Sequence, residues 1–196
     1  MKKLFLCFWL FLAVGVTNPA MGQFAGGSGT EADPYLISTP DHLVQLFYYL
    51  GNANLHFKMS NNIDLTNYLA VGGAGHNDGA GWSPIGNASN KFSGTFNGAG
   101  YKITGLWINR SGTDYVGLFG NADVASISNL GVEIAIAGIS GNSYVGGLIG
   151  SNSDGTINDC YVVGNIYNGN NFVGGLIGYN GGIVNNCYVK GNVNAT

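Results

Sequence analysis

The chain is 196 residues long, and only 9% of them are charged, against roughly 25% in an average soluble domain. Glycine contributes 34 residues and asparagine 25, a composition that excludes a helical bundle, while 45% hydrophobic and 12% aromatic content excludes disorder. The formal net charge of −3 argues against nucleic acid and anionic membrane surfaces as partners, because both attract basic patches.

Residues 1–22 read as a secretory signal. Lys2 and Lys3 form a basic start, residues 4–16 an apolar stretch of 13 residues, and Ala20-Met21-Gly22 a small-residue cleavage site before Gln23. The apolar stretch is too short for a comfortable membrane span. Cys7 lies inside it without the small-residue box of a lipidated cysteine. Removing two lysines leaves a mature chain with five basic and ten acidic groups, a net of −5. A secreted or cell-surface location is expected, with no membrane insertion of the mature chain.

Residues 23–33 form a glycine-rich entry, and residues 34–38 (PYLIS) a short strand. One helix is predicted over 40–50. Thr39 is a good N-cap, Pro40 suits the first helical position, and Asp41 complements the positive helix end. Leu43, Leu46, Phe47 and Leu50 share one face, and Gly51 ends the pattern. His42 is expected at the surface of this helix, which is expected to cap the core. Phe57-x-Met59, Ile63-Asp64-Leu65, Ile85 and Phe92-x-Gly94-x-Phe96 alternate like strands, and residues 69–82 read as an extruded loop.

Internal repetition dominates the rest. YVGLFG begins at Tyr115, YVGGLIG at Tyr144 and FVGGLIG at Phe172, at offsets of 29 and 28 residues. A second block recurs in step: Ile103-x-x-Leu106-x-Ile108, Ile127-x-x-Leu130-x-Val132, Ile157-x-x-Cys160-x-Val162 and Val184-x-x-Cys187-x-Val189. One such unit cannot bury a core alone, but stacked units align equivalent residues into apolar columns. The predicted fold is therefore all-β, a right-handed parallel β-helix with a short N-terminal capping helix; a propeller is the alternative. The expected organisation is a signal at 1–22, an N-terminal strand and helix at 23–56, and a β-helix at 57–196. Its repeats fall at about 115–143, 144–171 and 172–196. The expected core column is Leu106, Leu130, Cys160 and Cys187, beside a second of Ile108, Val132, Val162 and Val189. The chain stops just after Val193 without a polar cap, so continuation past Thr196 is expected, with self-association as the alternative.

GLFG at 117–120 and GLIG at 147–150 and 175–178 resemble the GLUG motif, and the flanking I-N-D-C-Y-V-V-G-N and I-V-N-N-C-Y-V-K-G-N are similar to its full repeat. Asn62-Ile63-Asp64-Leu65, Gly81-Trp82-Ser83-Pro84-Ile85-Gly86 and Phe92-Ser93-Gly94-Thr95-Phe96-Asn97-Gly98 resemble the segment found before such repeats. The first repeat departs by one glycine, at Tyr115-Val116-Gly117-Leu118. The resemblance implies a bacterial secreted or surface β-helical module. Such repeats occur in adhesin-like proteins and in the non-catalytic region of immunoglobulin A1-specific metallopeptidases.

Catalytic signatures are missing. His42, His56 and His76 lack the spacing of a zinc peptidase, and neither a nucleophile elbow nor a phosphate loop is present. No catalytic residue and no cofactor is assigned. Asp114, Asp123, Asp154 and Asp159 read first as polar turn residues; the alternatives are a calcium site at Asn152 and Asp154, or a carboxylate active site as in β-helical polysaccharide-degrading enzymes. Cys160 and Cys187 read as stacked core thiols, with a disulfide as the alternative. Tyr161 and Tyr188 are expected to point outward and to offer a surface for glycans or for host or cell-surface proteins. The column Tyr115, Tyr144 and Phe172 alternates with glycine and is a candidate for the core. The expected function is a non-catalytic extracellular repeat module, for adhesion or surface display. Its alternatives are the leader of a secreted metallopeptidase or a polysaccharide-degrading β-helix.

Overall fold

A computed structural model describes residues 23–167 and 169–195. The expected signal segment lies outside these residues. Among the described residues, eighteen short strands wind into a parallel β-solenoid. One face is a six-stranded sheet in chain order: Tyr35–Ile37, His56–Met59, Thr95–Asn97, Ser126–Ser128, Thr156–Asn158 and Ile183–Asn185. A second is a seven-stranded sheet that includes Lys102–Asn109, Gly131–Ser140, Tyr161–Val163 and Tyr188–Lys190. A third stacks Phe119–Ala122, Ile149–Asn152 and Ile177–Asn180.

Pairing is in register, so each inward side chain sits above its equivalent. Phe57, Phe96, Ile127, Ile157 and Val184 form one column. Ile63, Ile103, Val132, Val162 and Val189 form another. The first four members of each column are at most 2% exposed. These columns remove apolar surface from water along the whole axis, which is the main stabilising term.

The register corrects the expected columns. Ile103 pairs with Val132, Leu106 with Ile134 and Ile108 with Ile139. Leu106 is fully buried, yet it does not stack on Leu130, and Ile108 does not stack on Val132. The cause is degeneracy: the pattern apolar-x-x-apolar-x-apolar occurs both across a corner and along a straight strand. Lys102–Asn109 is one uninterrupted strand with bulges, whereas residues 127–132, 157–162 and 184–189 each turn a corner. Leu130, Cys160 and Cys187 do follow one another at that corner, linked by backbone bonds such as Tyr161 N to Leu130 O at 3.0 Å and Tyr188 N to Cys160 O at 3.2 Å.

The N-terminal helix forms where expected but is shorter. The helix α1 spans Pro40–Gln45 and passes into a 3-10 turn over Leu46–Tyr49. Thr39 caps it by accepting a bond from His42 N at 3.2 Å. The aromatic run Phe47-Tyr48-Tyr49 has low helix propensity and ends it early. The helical segment connects the first two rungs of the six-stranded sheet along the chain and buries Leu43 and Leu46. His42 is not a surface residue: it is half-buried, its Nδ1 accepts from Ser38 N at 3.1 Å, and its ring meets the edge of Phe24.

The expected loop at 69–82 is also more structured. A helical turn, α2, covers Thr66–Leu69, a 3-10 turn covers Asn77–Gly79, and Trp82 plunges back into the core. The Trp82 indole, 1% exposed, donates from Nε1 to Leu118 O at 3.1 Å. Apolar burial of this ring overrides the glycine-rich loop signal around it.

The column arrangement makes a direct prediction. Ile127→Ala leaves a cavity between Phe96 and Ile157 and should cost about 2–5 kcal/mol; urea denaturation measures it, and exposed Ile136→Ala is the neutral control.

Candidate functional site

The repeated sequence block builds one corner of the solenoid. In each copy an aromatic residue opens the block: Tyr115, Tyr144 and Phe172, with φ of 61°, 58° and 55°. These are left-handed conformations, uncommon for bulky residues. They turn the aromatic ring outward while the next residue, Val116 or Val145, enters the core with no exposure. This column is therefore at the surface and not in the core: Tyr115 and Tyr144 are half-buried and Phe172 is 52% exposed. The rings lie nearly flat on one another, with centroids 4.8 and 4.9 Å apart at 2° and 9°. Tyr179 meets Tyr144 and Phe172 edge-on.

The glycines of the block are required by space. A Cβ on Gly150 would lie 2.5 Å from Gly120 O and 2.6 Å from Tyr144 O. On Gly178 it would lie 2.6 Å from both Gly150 O and Phe172 O. The terminal glycine of each copy thus lets its coil approach the coil before and the carbonyl of its own aromatic residue. Leu148 and Ile149, between the glycines, are fully buried.

Tyr161 and Tyr188 form the second ladder, outward as expected, with centroids 5.2 Å apart at 7°. The other face of Tyr161 covers Gly131, where a side chain would collide with the ring. Both faces of Tyr161 are occupied. Only ring edges and the far face of Tyr188, 57% exposed, remain for a ligand.

Corner amides form ladders that composition alone did not reveal. Asn142 Nδ2 donates to Asp114 Oδ1 at 2.7 Å, and Asn170 Nδ2 donates to Asn142 Oδ1. Asn185 Nδ2 donates to Asn158 Oδ1 at 2.9 Å, and Asn186 Nδ2 to Asp159 Oδ1 at 3.3 Å. Asn129, Asp159 and Asn186 adopt φ of 53°, 52° and 52° at equivalent corners, a conformation that Asn and Asp tolerate. The sequence signal was the Asn or Asp standing immediately before Leu130, Cys160 and Cys187.

Asn152 belongs to this group rather than to a calcium site. It is fully buried; Oδ1 accepts from Gly155 N at 3.0 Å, and Nδ2 donates to Gly155 O at 3.1 Å and to Asn180 Oδ1 at 2.8 Å. Its oxygen closes the turn and faces no open space. Asp154 is exposed beside it. Asp123 pairs with Lys91 at 3.1 Å and shares one corner, on successive coils, with Asp154, whereas Asp114 and Asp159 serve amide ladders at two other corners. No group of three or more His, Cys, Asp or Glu side chains able to hold a metal occurs among the described residues. His76 accepts a turn bond from Gly79 N at 3.2 Å, and His56 lies on the second rung.

Cys160 and Cys187 are free thiols in the structure. Cys160 is 1% exposed and Cys187 half-buried. Each thiol donates to a carbonyl two residues upstream, Asn158 O at 3.2 Å and Asn185 O at 3.1 Å. Burial pushes the Cys160 thiol up to about 12.

A parallel β-solenoid whose corners repeat one glycine-aromatic block defines the class of this molecule. Within it the GLUG motif family matches residues 141–167 and 169–194, two consecutive repeats. A "Putative Gly-rich membrane protein" of Evansella cellulosilytica is 41% identical over 153 residues, 76% of this chain and 16% of that protein. "Halomucin" of Haloquadratum walsbyi is 32% identical over 143 residues, 71% of this chain and 2% of that protein. The chain thus spans less than a fifth of the length of either relative. No solved structure matches. No described helix is long and apolar enough to cross a membrane.

Two predictions come from these corners. Gly150→Ala should destabilise the protein by about 1–3 kcal/mol, because backbone atoms must shift to admit a methyl group; thermal melting measures it. The Cys160 thiol titrates near 12 in the folded chain and about 8.5 unfolded. The neutral thiol's contribution is therefore complete below about pH 8.5 and is lost as pH rises toward 12. Cys160→Val should flatten that part of the alkaline stability profile, and below pH 8.5 iodoacetamide should label Cys187 well before Cys160.

Proposed function

We propose that this chain is a non-catalytic β-solenoid module of a secreted or cell-surface protein, serving adhesion or surface display. The observation that carries the reading is where the repeated polar groups go. Asparagines, aspartates and tyrosines of successive coils bond or stack mainly on one another, so the repeat is devoted to building length rather than to assembling a reaction centre. The two relatives support it: both are many times longer than this chain, and neither name describes an enzyme. The signal-like segment at 1–22 supports export. Glycans or cell-surface proteins would meet the ring edges and outer amides as many equivalent, individually modest contacts along the axis.

Antibody labelling of intact cells, with N-terminal sequencing of the extracted protein, tests the location. Surface labelling and a start at Gln23 are expected; a cytosolic protein that retains the segment before Gln23 overturns the reading. Incubation with a panel of polysaccharides tests the lack of catalysis. No new reducing ends should appear, and release that disappears in an Asp154→Asn/Asp159→Asn double variant would make the molecule a carbohydrate-active enzyme instead.

A further inference from the structure

Outside the repeats, α1, the 3-10 turn after it and the segment from α2 to Ser83 border a cleft of about 360 Å³. That is at the small end of ligand cavities, about 300–1,000 Å³. Val44, Phe47, Tyr68 and Trp82 give it an apolar lining, and Asn77 and Ser83, which touch each other, give it a polar end. No lining side chain is charged.

The polar end is specific in its chemistry. Arg110 donates to Ser83 Oγ at 3.0 Å and to Trp82 O at 3.1 Å. With its oxygen accepting, the Ser83 hydroxyl keeps its own hydrogen to donate. Asn77 uses Nδ2 on Gly75 O at 3.0 Å and Gly81 O at 2.8 Å, which leaves its Oδ1 as an acceptor with no partner among the described residues. Asn77 Nδ2 also donates to Ser83 Oγ at 3.3 Å, so the remaining donor and acceptor belong to one bonded pair of side chains. Two local features shape the segment that carries them. Gly75 packs under the Tyr68 ring, and Asn77 and Asp78 are consecutive left-handed residues with φ of 50° and 52°.

From this geometry we propose that the cleft binds one neutral pyranose ring. The apolar C–H face of the sugar lies against Tyr68 and Phe47, and two adjacent hydroxyls meet Ser83 Oγ and Asn77 Oδ1. A purely apolar ligand would displace water from that donor and acceptor without replacing its hydrogen bonds. Arg110 stands at the polar end but is bound to Gly81 O, Trp82 O and Ser83 Oγ and does not line the cleft, and the Asp41 carboxylate is near enough to raise the Tyr68 hydroxyl after burial has done so. The site lies outside the repeated coils and is independent of the adhesive reading above.

Saturation-transfer NMR on the full chain tests the proposal, with the methyl glycosides of glucose, galactose, mannose and N-acetylglucosamine at millimolar concentration and indole as the apolar probe. At least one glycoside should receive transfer, concentrated on the C–H protons of one ring face. Ser83→Ala should weaken binding about tenfold, the loss of one good hydrogen bond. Ala74→Trp, at an exposed rim position, should plug the cleft and abolish transfer while the melting temperature stays unchanged. Transfer to none of the glycosides overturns the proposal, as does transfer undiminished in Ala74→Trp. Transfer to indole in preference to every glycoside overturns it in favour of an apolar ligand.

Discussion

In-register stacking of parallel coils is the constraint from which the rest of this molecule follows. Strands in a sheet lie about 4.8 Å apart, so every residue stands at that distance from its counterpart in the next coil. A side chain is useful here only if it is compatible with a copy of itself. Apolar residues satisfy this inside, as in the column from Phe57 to Val184. Amides satisfy it at corners because each carries both donor and acceptor, and aromatic rings satisfy it by lying face to face. Charges do not, since like charges at this spacing repel. The low charged content is therefore a consequence of the architecture. Where charges do face each other across coils they are of opposite sign, as in Lys91 with Asp123 and Lys102 with Glu133.

The same constraint explains which parts of the fold were legible in the sequence. A parallel β-helix follows from linked repeats, and the repeats were explicit. The N-terminal helix was legible because Thr39, Pro40 and the spacing of Leu43 and Leu46 are local signals. The sequence alone does not locate the partner of Leu106, because a straight strand and a strand-corner-strand share one apolar pattern and only the pairing distinguishes them. The Tyr115 column was misjudged because alternation assumes extended backbone, and a left-handed φ at Tyr115, Tyr144 and Phe172 reverses which neighbour points inward. The Trp82 loop was read from its glycines, although the tertiary burial of one indole decides its path.

The candidate sites divide along the same line. The outward direction of Tyr161 and Tyr188 was readable from the flanking core residues, whereas the stacking that occupies the Tyr161 faces was not. Asn152 resembled a ligand residue by spacing, but its oxygen is bound within its own turn. The cleft of Phe47, Tyr68 and Trp82 brings together residues from three segments that no sequence pattern links. Side-chain roles that depend on one coil are thus visible in sequence, while roles that depend on distant segments emerge only on folding.

The direction of the inter-coil bonds has a mechanical consequence. Successive coils are joined by backbone hydrogen bonds and side-chain ladders that run along the solenoid axis, and each coil touches only its neighbours. A pull along that axis loads one interface at a time, so coils should peel off one after another instead of failing together. Each detached coil then releases its full contour of extended chain, and the stacked rings and amides of the next interface take up the load. A solenoid built this way lengthens in steps under load and dissipates force as it does so.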